Sequence, residues 1–120
     1  MRSNRLLLED ILDRAMKIEL NSRQFTRAQI ESDSNIYEAM LRHIEIIGEA
    51  VKNLPDDFKA KHAEVPWRQI GRTRDVLAHV YFAVSQDRIW NVIEVEIPKL
   101  IAVVSTMIEE MAGDDEREDA

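Results

Sequence analysis

The chain has no cysteine. That excludes a disulfide framework and a thiolate metal site, and it fits a reducing compartment. Only three glycines and three prolines occur in 120 residues, so few turns are signalled and long helices are favoured over many short strands. No apolar run approaches the roughly 18 residues of a membrane span. The opening stretch MRSNRLLLEDILDR holds a short leucine run before Glu9 and Asp10, too short for the core of a signal peptide. These absences predict a cytoplasmic protein with no membrane partner. Surplus positive charge is lacking too: the net charge is −7, which argues against a surface that coats nucleic acid indiscriminately.

What is present is a soluble globular mix, 45% apolar and 32% charged, at about the size of one domain. The charge is uneven. Residues 113–120, GDDEREDA, carry five acids and one arginine, or −4, which leaves −3 for the rest. Residues 66–82 carry three arginines and one aspartate, or +2. A local basic site on an acidic protein is therefore open. We expect a single helical domain over 1–112 and an acidic flexible tail over 113–120.

Apolar spacing places the helices. Leu7, Ile11, Ala15 and Ile18 share one stripe, with Leu8 and Leu12 beside it, and predict a helix over 3–20. Residues 21–34 lose this period and read as a connection with one helical turn around Phe25. A second helix starts near Ser34 or Asn35, where Asn35 and Glu38 have the spacing of a capping box. It follows Ile36, Met40, Ile44, Ile47, Val51 and Leu54 until Pro55. Gly48 sits inside it, at a cost of about 1 kcal/mol against alanine, as expected where two helices approach closely. Residues 59–65 read as a polar connection. Pro66 suits the first position of a third helix, which runs to about Val80. A fourth runs from Ser85 or Gln86 through Trp90 to Ile97, where Pro98 should kink or break it. Helix then resumes over 100–111. The result is an all-α bundle of four or five helices.

The third helix carries the chemistry. Its stretch RTRDVLAHVYF mixes a buried-helix pattern with Arg72, Arg74, Asp75, His79 and Tyr81. At about 100° per residue, Arg74 and His79 stand about 140° apart, whereas Asp75 and His79 share a face, as do Arg74 and Tyr81. A carboxylate one turn before an imidazole can fix its tautomer and favour its charged form. An arginine can fork onto phosphate oxygens, and a histidine can move protons to or from a ribose hydroxyl or a leaving oxygen. The kit suits phosphodiester chemistry. There is no HExxH and no glycine-rich phosphate loop, and three histidines without metal spacing predict neither a metal site nor a cofactor.

The spacing Arg74, four residues, His79, one residue, Tyr81 resembles the R-x4-H-x-Y motif of HEPN ribonucleases. LLLEDILDRAMKIE, RHIEIIGEAVKNLP, VPWRQIGRTRDVLAHVYF and IWNVIEVEIPKL resemble, in order, the HepT type of the MntA–HepT toxin–antitoxin system. The resemblance covers nearly the whole chain. It implies a HEPN-like four- to five-helix bundle that dimerises through the motif-bearing helices, bringing Arg74 and His79 of two subunits into one cleft. It implies a metal-independent endoribonuclease toxin in which the ribose 2′-OH attacks the adjacent phosphate, with Arg74 and His79 catalytic. It also implies a partner, an MntA-like nucleotidyltransferase antitoxin that silences the toxin by adding AMP to a tyrosine, here Tyr81, in a homodimer or a larger hetero-oligomer. Asp75 and Arg72 would orient the site or add a phosphate contact. Where the family often has asparagine after the motif arginine, this chain has Asp75, which could pair with Arg74 and weaken its grip on phosphate.

Each residue also has a plainer role. A single arginine is usually a surface ion-pair partner, and a histidine on an apolar face is usually a hydrogen-bonded core residue. Trp67 and Trp90 suit core or interface, His43 a contact near Arg42, and His62 an exposed connection. Two other functions stay open: a non-catalytic HEPN module that binds a nucleotidyltransferase, and a purely structural dimerisation domain.

Overall fold

The computed structural model describes residues 2–79 and 84–119, with 113–119 described by their backbone alone. The leading apolar stripe winds into α1 (Asn4–Gln24), which starts where the Ser3 side chain accepts the Leu6 amide. It is longer than the spacing predicts, because Asn21 and Ser22 continue the turn without adding to the apolar stripe. The expected loose connection is a sharp corner at Phe25 followed by α2 (Arg27–Ser32). A capping box opens α2: Thr26 caps the Gln29 amide, and the Gln29 side chain answers on the Thr26 amide.

The start of α3 (Ser34–Asn53) corrects the expected Asn35 cap. The cap is Asp33, whose carboxylate accepts from the amides of Asn35 and Ile36. Both are cap-forming residues, and the anion better meets the positive end of the helix. The 59–65 connection begins within a short α4 (Asp56–Ala60), and α5 (Trp67–His79) follows Pro66. The last stretch is α6 (Gln86–Asn91), a π-helical segment (Val92–Glu96) and α7 (Ile97–Asp119) in unbroken succession. Pro98 therefore breaks nothing. A proline clashes with the carbonyl four residues before it and cannot donate to it. Just upstream the bonding has already slipped, with the Ile97 amide reaching back to Val92, which eases that carbonyl aside.

Packing runs α5 on α3, α3 on α1, and α1 on α7. The core between them is largely apolar, with Leu8, Ile11, Ile18, Met40, Ile44, Ile89 and Leu100 fully enclosed. Trp67 and Trp90 are buried in it; their ring N–H groups donate to the His62 carbonyl at 3.0 Å and to Glu31 at 2.8 Å. Among the described residues there is no strand, and no helix is long and apolar enough to cross a membrane. The fold is the all-α bundle the sequence predicts.

Candidate active site

Gly48 on α3 sets the geometry. A Cβ added there would overlap Cβ of Arg74 and stand 2.9 Å from its Cγ. The absent side chain lets α5 lie so close that the stem of Arg74 crosses α3 at this point. The guanidinium emerges beyond the crossing, 24% exposed. Nη2 meets Glu49 Oε2 at 2.8 Å, and Nη1 meets Asp75 Oδ1 at 3.2 Å. Its third nitrogen, Nε, is buried and has no hydrogen-bond partner among the described residues. The group borders a cleft of about 470 Å³ shared with Arg2, Arg42, Glu49 and Asn53.

Asp75 does not act on His79 as expected. Its carboxylate turns to Lys52 on α3, Oδ1 to Nζ 2.6 Å, and to Arg74. Lys52 first and Arg74 second hold the Asp75 carboxyl below the usual aspartate range. His79 is exposed, and its Nδ1 lies 2.9 Å from the backbone carbonyl of Asp75. A carbonyl only accepts, so Nδ1 carries a proton and donates. In the neutral ring, Nε2 is then the free base, turned away from the helix. The tautomer is set as the sequence suggested, by the peptide one turn back instead of by the carboxylate.

Within one chain no hydrogen bond among the described residues joins Arg74 to His79; Arg74 turns toward α3 and His79 toward the outside. Arg72 is exposed and, among the described residues, has no hydrogen-bond or ion-pair partner. Tyr81 lies outside the described residues. His43 faces α1 instead of Arg42: Nη1 of Arg14 donates to its Nδ1 at 3.2 Å. Burial first, then Arg14 and Lys17, push the His43 ring below the usual histidine range. His62 is half-buried beside Glu64, not open in a connection.

Sequence reasoning missed Glu49 and Lys52 as neighbours of the motif. Their signal was present, since Glu49 follows Gly48 inside IGEA, and whatever follows the crossing glycine must lie beside the residue that crosses it.

A helical bundle that carries a phosphate-type arginine and an exposed histidine on two sides of one helix offers two halves of a candidate phosphodiester site on an all-α scaffold. Residues 11–107 match the family described as "Ribonuclease HepT-like", and the chain belongs to that HEPN family. It is 37% identical over 112 residues to a candidate RNase of Methanocaldococcus jannaschii, covering 93% of each chain. It is 41% identical over 99 residues to the probable ribonuclease HepT of Thermococcus cleftensis, covering 82% of this chain and 90% of that one. A further candidate RNase, from Caldanaerobacter subterraneus, is 38% identical over 109 residues, covering 91% and 97%. No solved structure matches.

Proposed function

We propose that the chain is a metal-independent endoribonuclease and the toxin of a toxin–antitoxin pair. The observation that carries the reading is the exposed imidazole of His79, with Nδ1 tied to the Asp75 carbonyl and Nε2 left to act. Nε2 takes the proton of a ribose 2′-OH as that oxygen attacks the adjacent phosphorus. The 5′-oxygen of the next nucleotide leaves and is protonated, leaving a 2′,3′-cyclic phosphate. Arg74 meets the charge gathering on the phosphate oxygens. To do so it exchanges Glu49 and Asp75 for phosphate, an exchange its half-open setting permits.

One chain turns Arg74 and His79 to different sides, so the reading includes a homodimer in which a two-fold axis completes each half-site. A nucleotidyltransferase antitoxin of the MntA type would add AMP to Tyr81, two residues beyond His79, and the added phosphate would repel RNA from the site.

The test is cleavage of RNA by the purified chain in EDTA, beside folded Arg74→Ala and His79→Ala proteins. We expect the parent to cut and each variant to lose about 10²–10⁴-fold in kcat. A second reading, a binding module that holds a nucleotidyltransferase without cutting, is favoured by one feature: both outer nitrogens of Arg74 already rest on carboxylates. A folded, unmodified parent that cuts no RNA would select it.

A further inference from the structure

Two arginines stand apart from the rest. Among the described side chains every other arginine is held, on a carboxylate or by another partner. Arg68 and Arg72 are exposed and have no partner among the described residues. They lie one turn apart on α5, and with Asp75 and His79 they form a stripe at 68, 72, 75 and 79 that stays within about 60° of helix surface. Beside the stripe is a depression of about 390 Å³ whose rim adds Lys52 and Lys59 to the two arginines. Its only carboxylates among the lining residues, Asp56 and Asp75, are each already met by a lysine, at 3.7 Å from Lys59 and 2.6 Å from Lys52. The surplus charge therefore belongs to Arg68 and Arg72. In a chain of net charge −7, the unneutralised arginines among the described side chains lie on the one face that ends in His79.

We propose that Arg68 and Arg72 are a phosphate track for single-stranded RNA, holding the backbone that flanks the bond presented to His79. This rests on the ribonuclease reading for the direction of the strand. The two side chains rise about 6 Å apart along the axis, and His79 stands about 10 Å beyond Arg72. A strand laid along α5 thus offers consecutive phosphates to the two guanidinium forks and a further one to the imidazole. The forks match phosphate geometry, and contacts of this kind position a strand without reading its bases. The favoured ligand is nucleic acid and not an acidic protein, because the stripe is narrow and runs straight into His79.

The experiment reads binding separately from cutting. A labelled single-stranded oligouridine is titrated, over a series of salt concentrations, with His79→Ala protein and with the same protein carrying Arg68→Ala, Arg72→Ala or both. Each removal is expected to lower the slope of log affinity against log salt by about 0.7, the value for one phosphate contact on a single strand. Arg68→Lys, which keeps the charge, restores the slope. On the active chain, Arg68→Ala raises KM for a long strand more than it lowers kcat. An unchanged slope with a parent that cuts RNA overturns the track and leaves the ribonuclease. A lowered slope with a parent that never cuts keeps the track and overturns the ribonuclease. If the variants instead lose a nucleotidyltransferase partner while RNA binding holds, the face is a protein dock and the proposal falls.

Discussion

Two arginines bound to glutamates sit at opposite edges of α5, and they are built differently. At the edge facing α6, Arg88 grips Glu96 with both outer nitrogens, at 2.7 and 3.1 Å, and Glu96 is only 3% exposed. The remaining capacity of Arg88 goes to the hydroxyl of buried Thr73, at 3.0 and 3.2 Å, and that hydroxyl in turn donates to the Gln69 carbonyl. The anion is shut off from solvent there, although Arg88 itself keeps 28% of its side chain exposed, close to the 24% of Arg74. At the edge facing α3, Arg74 rests on Glu49 and Asp75, whose side chains are 53% and 46% exposed, and its one buried nitrogen has no hydrogen-bond partner among the described residues. The two arginines are about equally exposed, and the difference lies in their anions: a buried anion fixes a helix, whereas anions that stand in water leave a cation ready for another anion.

The comparison breaks most visibly at the edge facing α6. Glu96→Gln removes the buried anion that pairs with Arg88 and should cost about 1.5–3 kcal/mol, read as a lower urea midpoint with an unchanged slope. Glu49→Gln should cost under about 1 kcal/mol, as exposed pairs do. If the two costs match, the difference between the edges is illusory. Next in size is Gly48→Ala. The added methyl meets the stem of Arg74, so α5 must shift, at about 1–3 kcal/mol. Activity should fall further than stability explains, measured as kcat on protein shown to be folded.

Glu49→Gln also sharpens the contrast in function. Removing a competing anion should tighten RNA binding several-fold at low salt, and a titration that shows weaker binding would assign Glu49 to the chemistry itself. The smallest effect is at His43. Its folded ring resists a proton that the unfolded chain accepts readily. The stability it contributes is present above its ordinary value of 6.5 and is lost as pH falls below that. His43→Gln should flatten the fall in thermal midpoint below that pH and leave neutral stability nearly unchanged.

The helices were largely legible because their apolar residues recur at helical spacing, and Gly48 was legible because glycine inside such a stripe needs a reason. The contacts of the candidate site were only partly legible. The spacing of Asp75 and His79 located the tautomer control on the right turn. It could not tell the carboxylate from the carbonyl of the same residue, since that choice depends on Lys52, far away in sequence. Glu49 and Lys52 became neighbours of Arg74 through the α3–α5 crossing, which no local window contains. The helix through Pro98 was misread because apolar spacing records an average turn and cannot show a single wide one.

That wide turn has a consequence for how the chain tolerates change in length. A π-helical segment holds about one residue more than the α-helix around it. Asn91 and Glu96, five apart, meet at 3.4 Å, a separation that an ordinary α-turn would set well apart around the axis. Deleting one residue between 92 and 96 would restore a regular helix and remove the slack before Pro98. Because the wide turn absorbs that residue, Leu100 and Val104 would keep facing the core, and a deletion in the regular helix on either side would instead turn everything beyond it by about 100°. Length is thus under looser constraint at the wide turn than in α6 or α7, where a one-codon deletion would carry the packed face of the last helix out of the core.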